Sequence, residues 1–292
     1  MTAARPVITL TTDFGTSDHY VAAMKGVILS INPNATIVDV SHAVRPQQVA
    51  EGAFLLQAVR PYFPTGTVHL AVVDPGVGTK RRALILATPD GFFVGPDNGI
   101  LSPALPDSAR PRRSRAEPSA VPLPAGYTAV AIAERRYLRE PVSDTFQGRH
   151  IFAPVAAHLT LGAGPESFGE VVPTVLALPP FRARRRRDGS LSGRVVHVDR
   201  FGNLTSDIRA VDVGAGEVTV ELAGLVLRGL SKTYGQADGL IALIGSSGYI
   251  EIALPGDSAA QLLDVDLGTP VVVRRLVVRL RRHEAGQGAG PS

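Results

Sequence analysis

Three short acidic turns near the start of the chain carry side chains suited to chemistry: Thr11-Thr12-Asp13-Phe14-Gly15, Val73-Asp74-Pro75-Gly76-Val77-Gly78 and Gly95-Pro96-Asp97-Asn98-Gly99. Each follows an apolar run of strand character. Where such strands lie parallel, ligands bind in the crevice beyond their carboxyl ends. A carboxylate there can accept hydrogen bonds from hydroxyls, attract a cation or orient a water molecule. Asp and Gly are also ordinary turn residues, so each turn taken alone keeps a purely structural reading open. Asp13-Phe14-Gly15 is not read as the magnesium turn of a protein kinase, because the glycine-rich loop and the His-Arg-Asp context are missing.

Converging carboxylates can also hold magnesium or manganese. The seven histidines, at 19, 42, 69, 150, 158, 197 and 283, form no His-x-x-x-His pair or other compact ligand spacing. With no cysteine in the chain, thiolate zinc sites, iron–sulfur clusters and cysteine nucleophiles are excluded as well. No metal is therefore expected. Neither a phosphate-binding Gly-x-x-x-x-Gly-Lys-Ser/Thr loop nor a Gly-x-Gly-x-x-Gly fingerprint follows the first strand, which argues against a P-loop enzyme and a standard dinucleotide fold.

The elements that must position these turns alternate strand and helix. Strands are expected at 7–12, 36–40, 68–73, 83–88 and 128–133. Helices are expected at 20–31, where Val21, Met24, Val27, Ile28 and Ile31 repeat at helical spacing, at 47–59, and at about 150–161 with Pro154 in the first turn. This order predicts an α/β domain around a central, mainly parallel sheet. The Pro-, Ser- and Arg-rich stretch 103–124 reads as a long surface loop. After Pro179-Pro180 comes Arg184-Arg185-Arg186-Arg187, whose like charges predict an extended, solvated linker. Beyond it, strands at 193–198, 217–222, 240–244, 249–253 and 270–279, with turns and no long helix between them, predict a smaller all-β, barrel-like domain. The expected division is 1–178, a linker at 179–192, 193–283, and a fraying tail at 284–292.

At 292 residues, 45% of them hydrophobic, the chain can bury a large core. The 30 basic and 26 acidic residues nearly balance, and only 5% of side chains are aromatic, with no Trp; the arginine run therefore lacks the stacking platforms of a single-strand nucleic-acid binder, and no nucleic-acid partner is expected. No apolar run reaches the roughly 18 residues of a membrane span, and the first residues show no leader pattern, so a soluble, cytoplasmic protein is expected.

Taken in order, longer segments say more than any single turn. They are Thr11-Thr12-Asp13-Phe14-Gly15 with Asp18-x-Tyr20-Val21, Val38-Asp39-Val40-Ser41-His42, and Val72-Val73-Asp74-Pro75-Gly76-Val77-Gly78-Thr79 with Arg81-Arg82. Val94-Gly95-Pro96-Asp97-Asn98-Gly99, Thr145-Phe146-Gln147-Gly148-Arg149, Asp199-x-Phe201-Gly202-Asn203-Leu204 and Ser246-x-Gly248-Tyr249 follow. Over about residues 6–280 this set resembles the S-adenosyl-L-methionine hydroxide adenosyltransferases, adenosine-forming hydrolases related to the fluorinase and chlorinase enzymes. The resemblance implies a larger N-terminal α/β domain, a smaller C-terminal barrel-like domain, and a homotrimer whose sites lie between the N-domain of one subunit and the C-domain of the next. It also implies attack at C5′ of the adenosyl group with loss of methionine, and no cofactor. A sulfonium leaves as a neutral thioether, so the protein's task is to align a nucleophile and exclude bulk water.

Carried over residue by residue, the resemblance implies that Asp13 accepts both ribose hydroxyls and that Asp18 belongs to the same cluster. Asp199 would pair with the methionine ammonium, Asn203 would read the adenine edge, Phe201 would face the purine, and Ser246 and Tyr249 would complete the substrate contacts. Asp74 and Arg81 match two members of an Asp-Arg-His set that activates water. The halogenating relatives place a tyrosine where Asp74 stands, and the fluorinase places a threonine where Val77 stands. A fixed carboxylate repels halide but can orient water, which favours water here.

Four positions depart from the pattern. Gln147 fills the histidine slot and His150 stands where Asp is usual; glutamine can hydrogen-bond a water but cannot take its proton at neutral pH. Either Asp74 and Arg81 act with Gln147 as a compromised partner, or His150, three residues on, leans into the site. Gln47 replaces an aromatic residue over the adenosyl group, and Ser247 replaces an arginine that would grip the methionine carboxylate. The expected function is thus an S-adenosyl-L-methionine hydrolase, with a halogenating transferase and a non-catalytic adenosyl-binding protein as alternatives.

Overall fold

A computed structural model describes residues 5–112, 117–236 and 238–276. The chain forms two compact units that divide between Phe181 and Arg182. In the N-terminal unit the order is β1 (Val7–Thr12), α1 (Tyr20–Ile31), β2 (Thr36–Ser41), α2 (Val49–Val59), β3 (Thr67–Val72), β4 (Ala83–Thr88), β5 (Gly91–Pro96), β6 (Ser119–Pro122), β7 (Thr128–Ile132), α3 (Ala153–Thr160), β8 (Gly169–Val172) and β9 (Thr174–Ala177).

Seven strands build one sheet in the order β2-β1-β3-β5-β4-β7-β8. The neighbours from β2 to β5 pair parallel, whereas β4 pairs antiparallel with both β5 and β7, and β7 with β8. The sheet is therefore mixed around a parallel core. The reason is local: only Pro89 and Asp90 separate β4 from β5, enough for a hairpin but far short of a parallel crossover.

Strand β3 is buried along its whole length. Val68, Leu70 and Val72 pack with Met24, Ile28 and Phe152 on one face, while Ala71 and Val73 pack with Leu56 and Phe93 on the other. A strand covered on both faces reads as a continuous apolar run, which made it visible in the sequence.

The described parts of the stretch 103–124 are more structured than a surface loop. Ala104, Leu105 and Arg110 are buried, and β6 pairs with β9. Arg110 donates to the carbonyls of Leu178 and Pro179 at 3.0 and 2.9 Å, so its charge is satisfied inside the fold. Composition is blind to such backbone partners.

The C-terminal unit comprises β10 (Arg184–Arg185), β11 (Leu191–Val198), β12 (Leu204–Arg209), α4 (Ala210–Val213), β13 (Val218–Leu222), β14 (Leu225–Arg228), β15 (Ile241–Ile244), β16 (Tyr249–Ala253), α5 (Ala259–Leu263) and β17 (Pro270–Arg275). All named pairings are antiparallel, in the order β14-β13-β17-β11-β12-β16-β15. A bridge between Ser231 and Leu243 brings the two edges together into a nearly closed barrel. Its interior is filled by Val195, Leu204, Ile208, Val220, Ile252, Val271 and Val273. The arginine run lies within this unit: Arg184 and Arg185 pair with Ser192 and Leu191. The tail expected at 284–292 lies outside the described residues. Among the described residues, no helix is long and apolar enough to cross a membrane.

Candidate active site

Strands β1 and β3 are parallel neighbours in register, Thr12 opposite Val72. The chain therefore leaves the sheet at neighbouring points, and Asp13, one residue past β1, and Asp74, two residues past β3, both line one cavity of about 420 Å³. Phe14, Tyr20, Gln47, Val77, Thr145, Phe146, Gln147 and Gly148 also line it. The volume falls in the range of small-molecule sites.

Asp74 is held from one side by Arg81. The guanidinium Nε donates to both carboxylate oxygens at 3.0 Å, and Nη2 donates to Oδ2. Both side chains are largely buried, and Arg81 lies 5.4 Å over the Phe152 ring. Two successive turns carry the chain from one residue to the other, with Val77 N–H donating to Asp74 O and Thr79 N–H to Gly76 O. Arg81 Nη2 also donates to Gln147 Oε1. That bond uses one lone pair of the amide oxygen and turns the Oε1 toward Arg81, so Gln147 has its Nε2 hydrogens to offer to the cavity.

Asp13 is fixed differently. Its Oδ2 accepts the backbone N–H of Gln47 at 2.9 Å. Gln47 adopts φ 67°, a left-handed conformation costly for any residue but glycine, which turns its N–H toward the carboxylate. Burial pushes the Asp13 carboxyl above its ordinary value, the Gln47 N–H opposes this, and the nearby Asp74 charge adds to the rise. Three rings wall the cavity: Phe14, Tyr20 and Phe146 have centroids 4.9 to 6.0 Å apart. Sequence reasoning gave these rings no role, although Phe14, Tyr20 and Phe146 all lie within the motif segments.

Asp18 is exposed in the turn before α1 and does not line this cavity. The third acidic turn serves the fold instead. Asp97 is buried and accepts from Arg82 and from the Leu176 N–H. His150 does not lean into the site, contrary to the alternative raised above. Its Nδ1 bonds the Arg139 carbonyl at 2.9 Å and its Nε2 accepts from Arg149 Nε at 2.7 Å. The physical cause is the π-helical turn Gly148–Phe152, whose wider winding does not return position 150 to the face of Gln147.

The C-terminal unit has its own cavity of about 700 Å³, lined by Asp199, Phe201, Asn203, Tyr234, Leu254, Pro255, Asp257 and Ser258, among others. Asp199 organises the turn. Its Oδ1 accepts the N–H groups of Phe201 and Asn203, and its Oδ2 accepts the Asn203 amide, each at 2.9 Å. Gly202, at φ 83°, is obligatory because a Cβ there would sit 2.0 Å from Ser258 Oγ. This geometry leaves the Phe201 ring mostly in solvent, 77% exposed. Tyr234 Oη donates to Glu251 at 2.7 Å, and that hydrogen bond pushes the phenol up to about 12. Sequence reasoning passed over Tyr234, which lies outside the quoted segments. Ser246 is exposed in the β15–β16 turn and the Tyr249 side chain is buried; neither lines this cavity. Among the described residues, no group of three or more His, Asp or Glu is placed to hold a metal ion.

Comparison with known proteins gives two family matches. Residues 8–169 match the SAM hydroxide adenosyltransferase N-terminal domain, and residues 193–272 match the SAM hydroxide adenosyltransferase C-terminal domain. An (R)-S-adenosyl-L-methionine hydrolase of Salinispora tropica is 40% identical, over 91% of this chain and 97% of its own. A fluorinase of Actinopolyspora mzabensis is 26% identical, over 93% and 98%. Among solved structures, an uncharacterized conserved protein from Thermotoga maritima superposes with a TM-score of 0.78 at 32% identity, covering 92% of this chain and all of that one.

Proposed function

Because the chain belongs to the SAM hydroxide adenosyltransferase family, we propose that it hydrolyses S-adenosyl-L-methionine to adenosine and L-methionine, and that the acidic cavity of the N-terminal unit holds the reacting atoms. The observation that carries this reading is the Asp74-Arg81-Gln147 set beside Asp13 in one cavity. Two carboxylates attract a sulfonium cation, and Asp13 offers two acceptor oxygens to the ribose diol.

In the proposed step a water molecule donates one hydrogen bond to Asp74, which keeps acceptor capacity beyond that used by Arg81. It receives one from Gln147 Nε2. The remaining lone pair is directed at C5′. The O–C5′ bond forms as the C5′–S bond breaks, sulfur keeps the electron pair as a neutral thioether, and one water proton leaves by way of Asp74. Positioning of this kind contributes more than proton removal when the leaving group needs no acid. Asp199, Phe201 and Asn203 contact the methionine and adenine portions of the substrate, and Asp18 and Ser246, exposed in turns outside the two cavities, add contacts at its margins, while the Tyr249 side chain is buried. The protein acts as a homotrimer in which the two cavities serving one substrate come from different subunits.

Incubation with each sulfonium epimer, with and without chloride, tests the reading by product. Adenosine is expected from the (R) epimer; a 5′-chlorinated nucleoside or unchanged ligand overturns the proposal. Asp74→Asn is expected to lower turnover by about 100-fold or more, in the range of a lost water-orienting base, while adenosine still binds.

A further inference from the structure

The segment Val38-Asp39-Val40-Ser41-His42 plays no part in the chemistry above, yet it meets the Asp13 turn at two points. His42 is buried at the end of β2. Its Nδ1 bonds Thr12 Oγ1 at 2.8 Å, immediately before Asp13. Its carbonyl accepts the Gly15 N–H at 2.7 Å, two residues after Asp13. Thr12 Oγ1 in turn accepts the Phe14 N–H at 3.3 Å. Behind the imidazole, Nε2 lies 3.0 Å from Asp39 Oδ1, in contact but off the line of a good hydrogen bond, and Asp39 Oδ2 accepts from Lys25 Nζ at 2.5 Å. One residue thus fastens both ends of the turn whose middle carries the cavity carboxylate.

From this geometry we infer that His42 is a positioning residue for substrate recognition, holding Asp13 at the distance and angle that bind a vicinal diol. The inference rests on the proposed role of Asp13. A carboxylate that accepts two hydroxyls at once tolerates little displacement, since misplacement of about 1 Å costs on the order of 100-fold at a well-aligned site. Removing the imidazole leaves the Gly15 attachment in place but frees the Thr12 side of the turn. Diol recognition is then lost selectively, while the aromatic wall and the rest of the cavity persist.

The test compares adenosine with 2′,3′-dideoxyadenosine by calorimetric titration of the full-length protein. The wild type is expected to favour adenosine by about 10-fold or more, as suits hydrogen bonds to a charged acceptor. His42→Ala is expected to shrink the preference to within about 3-fold by weakening adenosine alone, and His42→Asn, whose side chain can again bond the Thr12 hydroxyl, to restore most of it. Thr12→Val removes the same bond from the other side and gives the same result should His42→Ala fold poorly. Equal weakening of both ligands, or an undiminished preference in His42→Ala and Thr12→Val, overturns the inference while leaving the role of Asp13 standing. A wild type that does not distinguish the two nucleosides, or an Asp13→Asn variant that still does, removes the premise and the inference with it.

Discussion

Each of the two cavity carboxylates has its own restraint, and the difference sets its use. Asp74 is clamped by a guanidinium, whereas Asp13 receives one backbone N–H and is pushed upward chiefly by burial. An ionised Asp13 is the form that accepts hydroxyls. Adenosine affinity should therefore fall on acidification, beginning at a higher pH than for an ordinary aspartate, and Asp13→Asn should flatten that profile in titrations. For folding the sign reverses. A raised value means that the folded state binds the proton more tightly, so Asp13 is least costly below its unfolded value and most costly once pH has risen through its folded value. Asp13→Asn should accordingly stabilise the unliganded protein at neutral pH, as read by its melting temperature. Gln147 offers a donor where a histidine could also accept. Gln147→His should raise turnover on the order of 10-fold, measured as initial adenosine release; an unchanged or lower rate would place this side chain away from the attacking water.

At the scale of elements, the site depends on how two loops are pressed together. The turn from Asp74 to Arg81 approaches the segment that carries Gln147 through Gly78, whose φ is 78° and where a Cβ would stand 2.9 Å from the Asp144 carbonyl oxygen. A side chain there strains the backbone and forces the loops apart. Gly78→Ala should cost about 1–3 kcal/mol of stability, seen as a lower urea midpoint at unchanged slope, and should reduce turnover more than adenosine affinity. The acidic turn at Asp97 contrasts with this. Like the others it follows a strand of the parallel core, but Arg82 and the β9 backbone occupy its carboxylate, so it braces the sheet and adds nothing to the cavity.

For the whole molecule, each unit presents a separate cavity with complementary chemistry, acidic and aromatic in one, a rigid Asp199–Asn203 turn with an exposed Phe201 in the other. The proposed assembly makes a sharp prediction. If each active site takes its two cavities from different subunits, Asp74→Ala and Asn203→Ala proteins, each inactive alone, should recover about a quarter of wild-type activity when unfolded and refolded together at equal amounts, because random assembly of a ring leaves that share of sites intact. No recovery would mean that sites are not shared. Sedimentation of the wild type gives the number of subunits directly.

Much of this protein was legible in the order of its residues. The strand that leads to Asp13 and the first helix match their expected limits, because the first is a run of β-branched and apolar residues and the second repeats apolar side chains at a period of about 3.6. The motifs around Asp74, Arg81 and Gln147 were likewise visible as a set. What no periodicity contains is which strands become neighbours and which way a side chain turns at the end of one. Strand pairing placed Asp13 beside Asp74 and sent Asp97 to a structural partner. A single π turn directed His150 toward the Arg139 carbonyl. Tyr234 entered the second cavity through a loop with no pattern of its own. Sequence spacing fixes local conformation, because each residue's backbone preferences act over a few neighbours. The cavity is made by contacts between segments tens of residues apart, and only the packed chain decides those.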